Sequence, residues 1–306
     1  MDKEADKGFI ASYLKLSGKA LKEKIRLAEE ILKNCTLCPR KCRVDRTAGE
    51  PGFCETADRP FVSSWNPHFG EEAPLVGHHG SGTIFLTHCS LGCLFCQNWT
   101  ISHQDEGNIY SFEAFADIML TLQNYGCHNI NFVTPTHQVP MILRSLETAI
   151  EKGLTVPLVY NCGGYESIET LQLLDGVIDI YMPDFKYAES GPAAEYSSAE
   201  DYPQVVKAAI KEMHRQVGDL VTDHDGIAKR GLIVRHLVLP EGLAGTKAVV
   251  KFLAEEISPD TYTNIMDQYY PCYKAQEHPP LNRRLKSSEY REALKAARDA
   301  GLKRLD

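Results

Sequence analysis

Residues 87–99 read THCSLGCLFCQNW and set three cysteines at the spacing Cys89-x3-Cys93-x2-Cys96. Three thiols are one short of a closed tetrahedral zinc site, whereas an iron–sulfur cubane held by three thiolates keeps its fourth iron open to an outside ligand. A zinc loop and three free thiols are the plainer alternatives. A second group, Cys35-x2-Cys38-Pro39-x2-Cys42, is completed by Cys54 in Gly52-Phe53-Cys54. Its four thiols suffice to close a site, and the spacing suits structural zinc or a second 4Fe-4S cluster equally, with a metal-free loop as the third reading. Cys127, Cys162 and Cys272 stand singly and read as small buried apolar residues.

Composition narrows what this chemistry serves. The 306 residues carry a formal net charge of -8 and a pI near 5.8, and no long Lys/Arg stripe is present to neutralise phosphates, so nucleic acid is not an expected partner. The opening MDKEADKG is polar with no apolar run behind it, and nothing later approaches the ~18 apolar residues of a membrane span. A cytoplasmic protein with no membrane partner is expected. In that setting ten cysteines, seven of them between positions 35 and 96, point to metal binding or redox chemistry instead of disulfides.

The elements that must position these residues follow from periodicity. Residues 1–34 hold an amphipathic helix, with Leu21, Ile25, Ala28 and Leu32 on one face. Residues 35–82 lose periodicity and read as a loop-rich cysteine cap. From 83 to 306, strand-length apolar runs alternate with helices. Strands are expected at 83–87, 129–133, 156–161, 177–184, 231–240 and 261–269, and helices at 112–125, 138–152, 166–174, 198–217 and 245–257. Strands apolar on both faces and separated by helices make a parallel sheet, as a partial (βα)6 TIM-like barrel or a doubly wound sheet. Either design gathers ligands at the carboxyl ends of the strands. Cys89, the run Thr134-Pro135-Thr136-His137, Asn161, and Asp184 with Lys186 all fall there.

Cys-x3-Cys-x2-Cys directly after a first strand, with Phe95 before the last cysteine, resembles the signature of the radical S-adenosylmethionine superfamily. CTLCPRKC with GEPGFC, then HFGEEAPLVGHHGSGTIFLTHCSLGCLFCQNWTIS, VTPTH, VYNCGGY, IYMPDFKY and GLIVRHLVLP together look like the pyruvate formate-lyase activating-enzyme-related (PflX-like) proteins, the branch with an extra N-terminal cysteine motif. The resemblance implies a partial barrel and a 4Fe-4S cluster on Cys89, Cys93 and Cys96 that reductively cleaves S-adenosylmethionine to a 5'-deoxyadenosyl radical for hydrogen abstraction. It further implies an electron donor such as flavodoxin or ferredoxin, and either a glycyl-radical protein partner or a small-molecule or peptide substrate. Phe95 would lie near the adenine. The activases' Gly-Gly-Glu motif after strand two is replaced here by Val133-Thr134-Pro135-Thr136-His137, whose hydroxyls and imidazole can accept hydrogen bonds from the methionyl amino group. Asp184-Phe185-Lys186 matches the activases' Asp-x-Lys, and Arg235 resembles the strand arginine near the methionyl carboxylate.

Each residue also has a plainer role. Arg235 can pair Asp184 or Asp179 inside the sheet, Asp184 can cap the following loop, and His137 can simply start a helix. Asn161, Gly163 and Gly164 can form a tight turn, or let backbone approach a nucleoside. Gly80-Ser81-Gly82 precedes a strand and is no phosphate loop. Gln97-Asn98-Trp99 can order the cysteine loop by hydrogen bonds to sulfur or by packing, while His68, Glu71, Glu72, His78 and His79 face a substrate or solvent. The opposing functional class is a non-catalytic iron–sulfur or zinc protein.

Overall fold

The structure, a computed structural model, describes residues 8–306; residues 1–7 of the expected N-terminal helical segment lie outside it. Ten strands form one sheet: β1 (Phe61–His68), β2 (Ser81–Leu86), β3 (Asn108–Ile109), β4 (Ile130–Val133), β5 (Leu158–Cys162), β6 (Ile180–Pro183), β7 (Val221–Thr222), β8 (Ala228–Leu237), β9 (Tyr262–Met266) and β10 (Arg304–Leu305). The six expected strands are β2, β4, β5, β6, β8 and β9. They pair in parallel and in chain order. Their side chains are buried on both faces over β4 to β6, as their Val, Ile, Leu and Tyr content requires.

The sheet is open. β1 lies antiparallel on β2 and carries β3 at its outer edge, β10 extends the far side beside β9, and β7 pairs β8. The architecture shown is thus a mixed α/β fold with a central, unclosed sheet and helices. Residues 61–68 were expected as loop, but β1 buries only Val62 fully, exposes Ser64 and Asn66, and contains Pro67, which hides the strand pattern in the sequence.

Helices Phe112–Asn124, Val139–Glu151 and Ile168–Leu174 appear where expected. The expected 198–217 helix begins later, at Tyr202, because Ser198 turns left-handed (φ 54°) to end a separate helix, Ser190–Ser197. The helix after β8 spans Thr246–Phe252 and widens into a π turn at Leu253–Ile257. The N-terminal helix covers Gly18–Ile31, is started by Ser17 Oγ accepting from Ala20 N, and buries Leu21, Ile25 and Ala28.

The cysteine cap is docked by specific bonds. Ser167 and Thr170 donate to the Leu37 carbonyl at 2.8 and 2.7 Å. Arg46, only 1% exposed, donates to the Ala57 and His137 carbonyls. No helix among the described residues is long and apolar enough to cross a membrane.

Candidate active site

Register decides which residues meet. Phe85, Val133, Asn161 and Met182 lie in one row across β2, β4, β5 and β6, and Asp184 bridges Arg235 one step further along. The carboxyl ends of these strands are level, so the residues just beyond them open on one cleft. Its volume is about 240 Å³, and its lining includes Cys89, Cys93, Cys96, Phe95, Asp184 and Lys186. Larger hollows of about 470 and 480 Å³ lie elsewhere, but neither is lined by a thiol.

The three thiols are individually oriented. Cys89 Sγ accepts from Leu91 N at 3.3 Å, Cys93 Sγ accepts from Ser197 Oγ at 3.0 Å, and Cys96 Sγ lies 3.2 Å from Ser102 Oγ. Burial pushes all three thiols up from their usual range; at Cys93 the Lys186 ammonium opposes it. A thiolate here needs a positive partner, which a metal supplies in full. Among the described residues, the one set of three or more His, Cys, Asp or Glu whose ligand atoms all lie within 4.8 Å of each other is Glu55, His88 and Asp105. The three cysteine sulfurs are therefore more widely spread than around one zinc, where bonds of about 2.3 Å set sulfurs about 3.8 Å apart. That spread fits a cubane, whose irons occupy separate corners.

The loop carrying them is firmly packed. His88 adopts φ 64°, with Nε2 2.9 Å from Asp105 Oδ1. Trp99 and His103 both stack on Tyr273 at centroid separations of 5.5 and 5.0 Å. Gln97 reaches the Gln268 carbonyl at 3.2 Å. Phe95 is buried edge-on to Tyr187 and Tyr269.

Beside the thiols lies a charged cluster. Lys186 Nζ is 2.5 Å from Asp184 Oδ2, and Arg235 donates to Asp184 Oδ1 at 2.9 Å and to Asn161 Oδ1 at 2.7 Å. Glu71 and Glu72 approach the same guanidinium at 3.6 and 3.9 Å. Burial raises the Asp184 carboxyl, but Arg235 and Lys186 outweigh it and hold it below the usual range. Burial likewise lowers Lys186, and Asp184 and Cys93 more than restore its charge. Burial pushes Glu71 up, with Arg235 opposing. The pairing of Arg235 with Asp184, the plainer reading of the sequence, is present.

Six of the eight residues expected around the nucleoside share the cleft: Phe95, Thr134, Asn161, Asp184, Lys186 and Arg235. Thr136 and His137 do not. After β4 the chain turns at Thr134 (φ 60°) into a short 3-10 turn. That turn sends Thr136 Oγ1 to Glu166 at 2.6 Å and His137 Nε2 to the Thr87 carbonyl at 2.7 Å. Both are 1% exposed, and His137 instead lines the space between the cap cysteines. Sequence reading missed Met266 and Gln268, which close the cleft from the end of β9. Their position past the sixth strand was the available signal.

Gly163 lines the cleft; Gly164 serves packing. At φ 77°, a Cβ on Gly164 would lie 2.3 Å from the Asp184 carbonyl oxygen, so the turn brings two strand ends together.

Comparison with known proteins places the chain. It is 33% identical over 284 residues to the uncharacterized protein MJ0674 of Methanocaldococcus jannaschii, covering 90% of this chain and 77% of that one. The chain belongs to the family of that archaeal protein. A second uncharacterized protein of the same organism, MJ0808, is 24% identical over 268 residues, covering 80% and 73%. No family model matches. Among solved structures, a radical SAM methyltransferase from Sphaerobacter thermophilus superposes with a TM-score of 0.51 at 12% identity, over 73% of this chain and 65% of that one, just under two thirds of its length. At that identity the likeness is one of fold.

Proposed function

We propose that this chain is a radical S-adenosylmethionine enzyme with a partial (βα)6 barrel core at residues 83–306, capped by residues 35–82. The observation that carries the reading is the convergence of Cys89, Cys93 and Cys96 with Asn161, Asp184, Lys186 and Arg235 on one cleft at the carboxyl ends of parallel strands. The methyltransferase of the same fold supports it.

Cys89, Cys93 and Cys96 fit as ligands of a 4Fe-4S cluster. Bound there and reduced, it would supply one electron for breaking a carbon–sulfur bond of S-adenosylmethionine, leaving methionine and a 5'-deoxyadenosyl radical to take hydrogen from a substrate. The chain's own residues do the positioning. Arg235, hydrogen-bonded to Asp184 and Asn161 and with Glu71 3.6 Å from Nη1, supplies the positive charge of the cleft that a carboxylate would meet. Lys186 keeps positive charge beside Cys93, and the Thr134 hydroxyl and Asn161 amide offer hydrogen bonds to an amino acid or ribose. Phe95, with Tyr187 and Tyr269 packed edge-on against it, shields the thiol end from water.

Hydrogen abstraction from a glycyl-radical partner protein or from a small molecule or peptide is equally served by this cleft, with flavodoxin or ferredoxin as the class of electron donor. The deciding assay is anaerobic reconstitution and reduction followed by measurement of 5'-deoxyadenosine, wild type against Cys93→Ala. Product from wild type alone supports the reading. Equal yields, or no product from a fully loaded, reduced wild type, would sink it.

A further inference from the structure

We propose that Cys35, Cys38, Cys42 and Cys54 bind a second 4Fe-4S cluster, not zinc. The four cysteines line one enclosed void together with Arg40, Arg46, Phe53, Ser90 and His137. Their spacing is too wide for zinc: no three of these sulfurs lie within 4.8 Å of each other, whereas tetrahedral zinc requires about 3.8 Å. A cubane takes each thiolate at its own corner and needs no such close approach.

The surroundings suit a negatively charged inorganic group. Phe53 N donates to Cys42 Sγ at 3.3 Å, and Arg46 Nη1 lies 3.9 Å from Cys35 Sγ. Two buried polar atoms on residues of this wall, Arg40 Nη2 and His137 Nδ1, have no hydrogen-bond partner among the described residues. The chain is also bent into place at a conformational cost: Lys41, Arg43 and Glu55 have φ of 43°, 58° and 50°.

The void lies directly behind the three-cysteine loop. Arg40 Nε donates to the Ser90 carbonyl at 2.9 Å, and Ser90 is the residue after Cys89. His137 meets the carbonyl of Thr87, so residues 87–90 form a common wall between the two thiol groups.

The inference stands apart from the reading of the cleft. Its test is metal content of the full chain after anaerobic reconstitution with iron and sulfide, in wild type, a Cys89/Cys93/Cys96→Ala triple variant and a Cys38/Cys42→Ala double variant. Expected are about eight irons and eight sulfides per chain in wild type and about four of each in either variant, without stoichiometric zinc. One zinc per chain in the triple variant, or a folded triple variant with neither iron nor zinc, overturns the proposal. Should the triple variant not fold, the Cys38/Cys42→Ala double variant decides: as much iron in it as in wild type, with or without loss of one zinc, is the overturning result. None of these outcomes depends on cleavage of S-adenosylmethionine, so loss of the second cluster and loss of the catalytic reading are told apart.

Discussion

The two cysteine groups are held in place by different physics. Cys89, Cys93 and Cys96 hang from the end of β2, whose register with β4, β5 and β6 is fixed by a ladder of backbone bonds and a buried apolar core. Cys35, Cys38, Cys42 and Cys54 lie on irregular chain, held by a few side-chain bonds to carbonyls from Arg40, Arg46, Ser167 and Thr170. The first group sits on a frame that exists without it. The second is part of its own frame, so its geometry and its ligand depend on each other.

The sharpest break in that comparison is Cys93→Ala. It should lower 5'-deoxyadenosine formation by more than about 100-fold while far-UV circular dichroism stays as in wild type, because the sheet does not rest on the thiol. Next in size, stripping metal with a chelator should open residues 35–60 to hydrogen exchange and leave the amides of β4 to β6 protected. Uniform protection of both regions would show that the cap carries itself.

Asp184→Ala leaves Lys186 and Arg235 buried without their shared partner and should cost about 3–5 kcal/mol, read by denaturant unfolding. The folded pKa of Asp184 is lowered, so its contribution is present above the unfolded value near 3.9 and is lost as pH falls further. Glu166 shows the opposite sign. Burial raises it to about 7, against the stabilising hydrogen bonds from Thr136 and Tyr160. Between its usual value of 4.5 and about 7 the unfolded chain binds fewer protons than the folded one, so this group erodes stability as pH rises. His236, held near pKa 4 by burial, acts in the other direction over part of the window. Glu166→Gln should therefore change the wild-type difference in stability between pH 5 and 7 by roughly 2–3 kcal/mol, seen by comparing the two proteins at each pH. The smallest effect is expected far from both groups: Arg26→Ala, which removes exposed contacts to Glu23 and Glu30, should leave the denaturant midpoint close to that of wild type.

What the sequence revealed follows the range of the forces involved. The six parallel strands were legible because apolar runs of strand length need only local pattern to be seen. β3, β7 and β10 are two residues each and leave no pattern to read. Within the site, the cysteines were legible by spacing, and Asn161, Asp184 and Lys186 by their places at strand ends. His137 and Thr136 were not, since the left-handed turn at Thr134 sets their direction and a threonine does not advertise such a turn. The carboxylates of Glu71 and Glu72 meet Arg235 across more than 160 residues of chain, a pairing no local pattern records.

Chain-order pairing of the sheet also sets a schedule. Seven of the ten cysteines lie between positions 35 and 96, whereas Arg235, Met266 and Gln268, which close the cleft around three of them, come from β8, β9 and the segment just beyond. During synthesis the thiols emerge long before their walls do. If the proposed cluster forms, its loading would have easiest access while β8 and β9 are still undocked, and the same interval is when oxidation most readily reaches the sulfurs.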